Sequence, residues 1–196
     1  MEDKFFIKYK KILAIDEVGR GALAGPFFVG GLLSDIEFYS NLKLFNIKDS
    51  KKLKEKKRYE IFNSIKKIKP KFEIMKFTNK EIDKLGIGNC FKIAIENLYK
   101  KFKPDFILID GKPVKCNIDK RKLKFIVDGD EKIKLISAIS IIAKVLRDKY
   151  MISIDKYYPV YEFKINKGYG TKKHILAIKR FGICKHHRIS FLKKLL

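Results

Sequence analysis

The chain has 196 residues, enough for one domain with a real core, and its 46% hydrophobic content excludes disorder as its main state. A formal net charge of +24, from 46 Lys and Arg against 22 Asp and Glu, exceeds what solubility needs and points to an anionic polymer as partner, nucleic acid ahead of an acidic membrane surface. No apolar run reaches spanning length, the N-terminus lacks a signal-peptide pattern, and Cys90, Cys116 and Cys184 are too widely spaced for a zinc knuckle or a disulfide framework, so a cytoplasmic protein is expected.

The first predicted strand, 12–16, is the apolar run Ile12 to Ile15. It delivers Asp16 and Glu17, which are expected at its exposed end because two adjacent acids are costly in a dry strand. Gly19-Arg20-Gly21 follows. Its glycines let backbone approach a ligand closely, and the arginine fork suits a phosphate. The bland alternative is a solvated acid pair before a tight turn.

Further strands are predicted over 26–33, 71–77, 105–109 and 123–127, with helices over 55–68, 88–102 and 133–157, an α/β order. Thr78 and Glu81 fit a capping box that opens a short helix. Gly86 and Gly88 then interrupt it before Asn89 opens the next helix, whose Phe91, Ile95 and Leu98 share a face. In 133–157, small residues such as Ser137, Ser140 and Ala143 at helical spacing allow close approach to a sheet. Past Tyr158-Pro159 come a basic, glycine-punctuated loop over 164–171, a helix over 172–181 closed by Gly182, and an amphipathic segment over 188–195. The expected division is a core over 1–157 and a helical C-terminal extension over 158–196.

Two more acids repeat the first pattern. Asp110 ends the run Phe106 to Ile109, and Asp130 follows Phe125 to Val127, so three strands are expected to deliver Asp16, Glu17, Asp110 and Asp130 to their ends, where the four can converge. Such a cluster needs cations. Two Mg²⁺ or Mn²⁺ ions shared with a substrate phosphate resolve the repulsion, and phosphodiester hydrolysis is the chemistry that follows. Only six arginines (20, 58, 121, 147, 180, 188) stand against 40 lysines, so the arginines carry more positional information than the lysine coat.

Seven segments, in order, resemble ribonuclease HII: residues 12–26, Asp49-Ser-Lys-Lys-Leu53, Ile107-Leu-Ile-Asp-Gly111, Gly129-Asp130, residues 136–148, Lys167-Gly-Tyr-Gly-Thr171 and His187-Arg-Ile-Ser-Phe191. Together they cover nearly the whole chain. The resemblance implies a ribonuclease H-like α/β fold, a mixed sheet of about five strands flanked by helices. It implies an endoribonuclease that cuts the RNA strand of RNA–DNA hybrids and cuts 5′ of ribonucleotides embedded in duplex DNA, the chemistry of ribonucleotide excision repair, leaving 3′-hydroxyl and 5′-phosphate ends. It further implies that Asp16, Glu17, Asp110 and Asp130 are the catalytic metal ligands, that Gly19, Arg20 and Gly21 grip the 2′-hydroxyl and adjoining phosphates, and that Tyr169 stacks on the following deoxyribose. The 2′-hydroxyl is the local mark that separates RNA from DNA.

Lys51 and Lys52 are read as contacts to backbone phosphates, and Lys144, Arg147 and Arg188 are read the same way. Asp148, one turn from Lys144, is expected to pair with it rather than to hold metal. His187 is read as structural or phosphate-facing, not catalytic, since a two-metal site generates hydroxide without it. Three positions depart from the family pattern: Ala22 in place of Pro, Lys54 in place of an N-cap Ser, and Ile139 in place of Ala. The lost cap should weaken the helix over 55–68 by about 1 kcal/mol.

Only eleven residues precede the first predicted strand, so the N-terminal binding domain of ribonuclease HIII is expected to be absent. A non-catalytic nucleic-acid-binding protein of the same fold is the rival from another class, and the complete set of acids speaks against it. A dinucleotide-binding module is discarded because its third glycine would fall at 24, whereas here it is Gly25. With no Gln in the chain, a Gln-led clamp-binding peptide is not expected, and the expected form is a monomer.

Overall fold

In the computed structural model, which describes residues 2–47 and 54–193, the apolar run after Lys11 forms β1 (Ile12–Val18) at the middle of a five-stranded sheet. The sheet order is β3-β2-β1-β4-β5, with β2 (Phe27–Ser34), β3 (Lys71–Phe77), β4 (Phe106–Asp110) and β5 (Leu123–Ile126). β1 pairs antiparallel with β2 and parallel with β4, while β2–β3 is antiparallel and β4–β5 parallel, so the sheet is mixed.

Both faces of the central strands are dry, which explains why their sequence is a continuous apolar run rather than an alternation. Ile12, Ala14, Phe106 and Leu108 pack on one face against the long helix α7 (Lys134–Asp155), beside the core residues Ile136, Ile139 and Ile142. Leu13, Ile15, Ile107 and Ile109 face the other way, onto Phe91, Ile95 and Leu98 of α5 (Ile87–Phe102). Gly30 and Gly31 of β2 make both approaches possible. A Cβ at Gly30 would come within 2.7 Å of Ile139, and one at Gly31 within 2.9 Å of Leu98. Ile139, larger than the family's alanine, is therefore accommodated by the glycine opposite.

Most predicted elements recur within one or two residues, and the exceptions have local causes. α1 (Asp3–Lys8) and α2 (Ile36–Lys43) carry no clear signal in the sequence. The first has no buried residue and attaches by stacking Phe5 and Tyr9 on Phe106, at 5.4 and 4.6 Å between ring centroids. The second buries only Tyr39 and Leu42, and is capped by Asp35, whose carboxylate accepts the Phe38 N–H at 2.9 Å. α3 (Glu55–Lys67) has Lys54 at its N-cap and no side-chain cap. α4 (Asn79–Leu85) carries the full Thr78–Glu81 capping box. α5 starts at Ile87, one residue before the expected range, and the Asn89 side chain donates back to the Leu85 carbonyl at 2.9 Å instead of capping forward.

Between β5 and α7 lies the single turn α6 (Gly129–Lys132). The stretch expected as loop over 164–171 is overlapped by the one-turn helix α8 (Phe163–Asn166), and α9 (Lys172–Phe181) and α10 (Ile189–Leu192) follow. A third apolar cluster joins this C-terminal segment to the rest: Tyr161, Phe163, Ile178 and Leu192 pack on Met151 and Ile154 of α7 and on Ala24. The C-terminal segment thereby reaches the turn that follows β1.

Candidate active site

β1 and β4 run parallel with Ile15 opposite Ile109, so the next step places Asp16 beside Asp110, on strands about 4.8 Å apart. β1 continues to Val18, and this corrects the expectation of an exposed strand end: Asp16 is 2% exposed and Asp110 8%. The Asp16 carboxylate accepts the Glu17 N–H at 2.7 Å and the Ser140 hydroxyl from α7. Burial first, then the neighbouring Glu17 and Asp110 carboxylates, push its pKa well above the ordinary carboxylate range.

Asp130 sits elsewhere than expected. It belongs to α6, not to a strand end, and is 1% exposed. The chain leaves β5 through Asp128 in a left-handed conformation (φ 56°) and folds back, so that the Gly129 N–H donates to Asp110 Oδ1 at 2.6 Å. That bond ties the turn carrying Asp130 to the end of β4. Glu17 accepts from Arg20 Nε at 2.8 Å, and the Arg20 guanidinium lies over Phe91, 4.9 Å from its centroid.

Among the described residues no three carboxylate, imidazole or thiol side chains are gathered tightly enough to cage a metal ion by themselves. Mg²⁺ rarely asks for such a cage: it keeps several waters and takes one or two carboxylates plus substrate phosphates. A buried, mutually repelling pair of hard oxygen donors therefore fits a divalent cation shared with substrate.

A cavity of about 300 Å³ opens beside Glu17, walled by the Gly19-Arg20-Gly21 turn, Arg58 of α3, Ser140 and Lys144 of α7, and Tyr169. Lys144 and Arg147 lie 5.8 and 5.4 Å from the Tyr169 ring centroid. Asp148 holds Lys144 at 2.7 Å, as expected, and Arg58 at 3.9 Å. Sequence reasoning gives Arg58 no role, although an arginine among the lysines of one helix is the available signal. A larger depression of about 820 Å³ lies near Tyr9, Tyr99 and Asp105, by the start of β4 and away from these acids.

Residues 13–194 match the family model for ribonuclease HII. The chain is 41% identical over 193 residues to a ribonuclease HII of Caldicellulosiruptor bescii, covering 96% of this chain and 89% of that protein. It is 44% identical over 189 residues to one from Clostridium botulinum strain Loch Maree, covering 94% and 69%. The chain belongs to the ribonuclease HII family. Its fold matches the ribonuclease HII of Archaeoglobus fulgidus, solved in complex with PCNA, with a TM-score of 0.76 at 25% identity over 91% of this chain and 93% of that one.

Within this ribonuclease HII frame, three sequence-based assignments change or sharpen. Arg147 and Arg188 do not face phosphate: both are 0% exposed. Arg147 donates to the carbonyls of Pro26 (2.9 Å), Lys167 (2.9 Å) and Ala24 (3.3 Å), and so staples the loop after β1 to the loop before Tyr169. Arg188 donates to the carbonyls of Gly25 (3.0 Å) and Arg20 (3.1 Å). His187 is structural: it is 1% exposed and shares a hydrogen bond with His174. Lys51 and Lys52, together with Asp49-Ser50, lie outside the described residues.

Proposed function

We propose that this protein is a metal-dependent endoribonuclease that hydrolyses the RNA strand of RNA–DNA hybrids and cuts 5′ of ribonucleotides embedded in duplex DNA. The observation that carries the reading is the buried Asp16–Asp110 pair on neighbouring parallel strands, beside a cavity walled by Gly19, Gly21 and Tyr169. Membership of the ribonuclease HII family supports it. In this reading Asp16, Glu17, Asp110 and Asp130 hold two Mg²⁺ or Mn²⁺ ions together with the scissile phosphate. Bound there, such ions would supply a nucleophile at neutral pH and offset the negative charge of the reacting phosphate.

The protein's own groups do the selection. Gly19, Arg20 and Gly21 approach the ribose and its phosphates closely, with the Arg20 guanidinium, held at Glu17, offering charge to a phosphate. Tyr169 packs on the next sugar, where a second 2′-hydroxyl would clash. Ser140 holds the Asp16 carboxylate in place by donating to it. Lys51 and Lys52, assigned from sequence alone, neutralise backbone phosphates, and the +24 charge draws the duplex in. The segment 158–196 acts as an extension that braces the recognition turn, and the protein works as a cytoplasmic monomer. No helix among the described residues is long and apolar enough to cross a membrane.

The test is cleavage of duplexes with one, four or many consecutive ribonucleotides, with Mg²⁺ or Mn²⁺, and analysis of the product ends. The reading expects 3′-hydroxyl and 5′-phosphate ends and no cleavage with EDTA. Absence of cutting with either metal would overturn it.

A further inference from the structure

The buried arginine of the C-terminal segment has a geometry that no phosphate contact explains. Residues 186–188 lie along the recognition turn. The Gly25 N–H donates to the His186 carbonyl at 2.9 Å, the Arg188 N–H donates to the Leu23 carbonyl at 2.8 Å, and Ala24 and His187 form an isolated antiparallel bridge. From there the Arg188 side chain doubles back beneath the turn to reach the carbonyls of Gly25 and Arg20.

A trans peptide unit is planar, so the carbonyl of one residue and the N–H of the next point in opposite directions. The peptide joining Arg20 to Gly21 is trans, like every other among the described residues. Pulling the Arg20 carbonyl inward onto Arg188 therefore turns the Gly21 N–H outward, toward the cavity. That N–H makes no backbone hydrogen bond among the described residues. Gly21 is exposed, has no positive φ, and a Cβ there would meet nothing within 4 Å, so the fold itself makes no demand for glycine at this position.

Arg188 is also an expensive residue to keep for stability alone. It is fully buried, its Nη2 has no hydrogen-bond partner among the described residues, and burial pushes its pKa down to about 9.

We infer that Arg188 is a positioning residue: by holding the Arg20 carbonyl it aims the Gly21 amide at the 2′-hydroxyl and phosphate of the ribonucleotide, and so sets discrimination between ribose and deoxyribose without touching substrate. The inference rests on the function proposed above. The segment that carries Arg188 is itself braced from α4, where the Asn79 side chain donates to the carbonyls of Lys185 and His187 at 3.1 and 2.9 Å.

The experiment compares wild type with Arg188→Lys and Asn79→Ala. An ammonium keeps the charge but loses the two-armed reach to Gly25 and Arg20, and Asn79→Ala loosens the brace from a half-buried position outside the apolar core. For each variant, kcat/KM is measured on a duplex with one ribonucleotide, and Kd on the all-DNA duplex of the same sequence, with the fold checked by circular dichroism. Arg188→Lys should lower kcat/KM about tenfold with Kd for the all-DNA duplex unchanged, and Asn79→Ala should do the same to a smaller degree. Parallel losses on both duplexes, or no loss in either folded variant, would overturn the positioning role. If Arg188→Lys fails to fold, Asn79→Ala decides by the same two outcomes. A wild-type protein that cuts neither hybrid nor single-ribonucleotide duplex would instead remove the proposed function.

Discussion

His174 and His187 share one hydrogen bond, Nε2 to Nε2 at 3.1 Å, and its neighbours fix which ring carries which proton. The Cys184 N–H donates to His187 Nδ1 at 2.9 Å, so the His187 proton is on Nε2 and is donated to His174. His174 in turn keeps its proton on Nδ1, 2.9 Å from the Tyr169 carbonyl, and donates it there. Two neutral imidazoles thus link the C-terminal segment to the loop that presents Tyr169, and the relay works only while both are neutral.

Acid should therefore weaken the fold through this pair. Burial lowers the pKa of both rings, that of His187 from 6.5 to about 4, so the unfolded chain takes up the proton first as pH falls. The stability His187 contributes is complete above about pH 6.5 and is lost progressively down to about pH 4, with about 3 kcal/mol at stake, and His174 acts in the same direction. Asp16 has the opposite sign, since its raised pKa makes the folded state gain stability as pH falls. Melting curves of wild type and His187→Gln at pH 7.5 and 5.0 separate the two. The wild type should lose more stability than the variant on acidification, and equal slopes would show that His187 is not the titrating group.

Removing charge from the acid pair should separate activity from stability. Asp16→Asn or Asp110→Asn should reduce cleavage on the order of a thousandfold, the scale of a lost charge-stabilising metal contact. Without metal, Asp16→Asn should melt at the same temperature as wild type or higher at pH 7, because ionising Asp16 is unfavourable in the folded state. Turnover and melting measured on one preparation check both halves. Robust cleavage by either variant would remove the assigned role of that carboxylate.

Gly19 and Gly21, in the turn after β1, should respond differently to alanine. Gly19 has φ +85°, and a Cβ there would lie 2.2 Å from Arg147 Nε, so Gly19→Ala should destabilise by at least about 1–3 kcal/mol. Gly21→Ala meets open space and should leave the melting temperature unchanged within about 2 °C while lowering kcat/KM on the single-ribonucleotide duplex. Thermal melts alongside turnover distinguish the two. A destabilised Gly21→Ala would mean that the turn needs this glycine for folding.

Tyr169→Ala should cost about ten- to a hundredfold in specificity constant on a duplex with one ribonucleotide, and less on a continuous hybrid, because only the first always offers deoxyribose on the 3′ side. Arg20→Ala should weaken both substrates alike by removing a phosphate contact. Kinetics of both variants on both duplexes are the measurement. Equal losses for Tyr169→Ala would assign Tyr169 to general binding.

Much of this site is legible in the amino-acid sequence. The apolar runs ending in Asp16 and Asp110, the Gly-Arg-Gly turn and the Lys144–Asp148 spacing are local features, and local features survive folding. The residues whose surroundings differ from expectation share one cause. Two adjacent acids are costly in a dry strand, which argues for an exposed Asp16, yet Ser140 and the Glu17 N–H, brought by a distant helix and by the strand's own backbone, make its burial tolerable. Arg147 and Arg188 resemble phosphate binders because charge in a basic chain reads as surface. All their carbonyl partners but one, Lys167, come from the turn after β1, which neither residue is near in sequence.

The sequence by itself determined the α/β order and the family, because periodicity, caps and short motifs are written within a few consecutive residues. Tertiary structure alone decided that Asp16 stands beside Asp110, that Asp130 arrives on a helical turn rather than a strand, and that two buried arginines hold the turn after β1 from below. Those relationships depend on strand register and on backbone carbonyls that become acceptors only once distant segments meet. A carbonyl is present at every residue, so nothing in the side-chain pattern marks the one an arginine will choose.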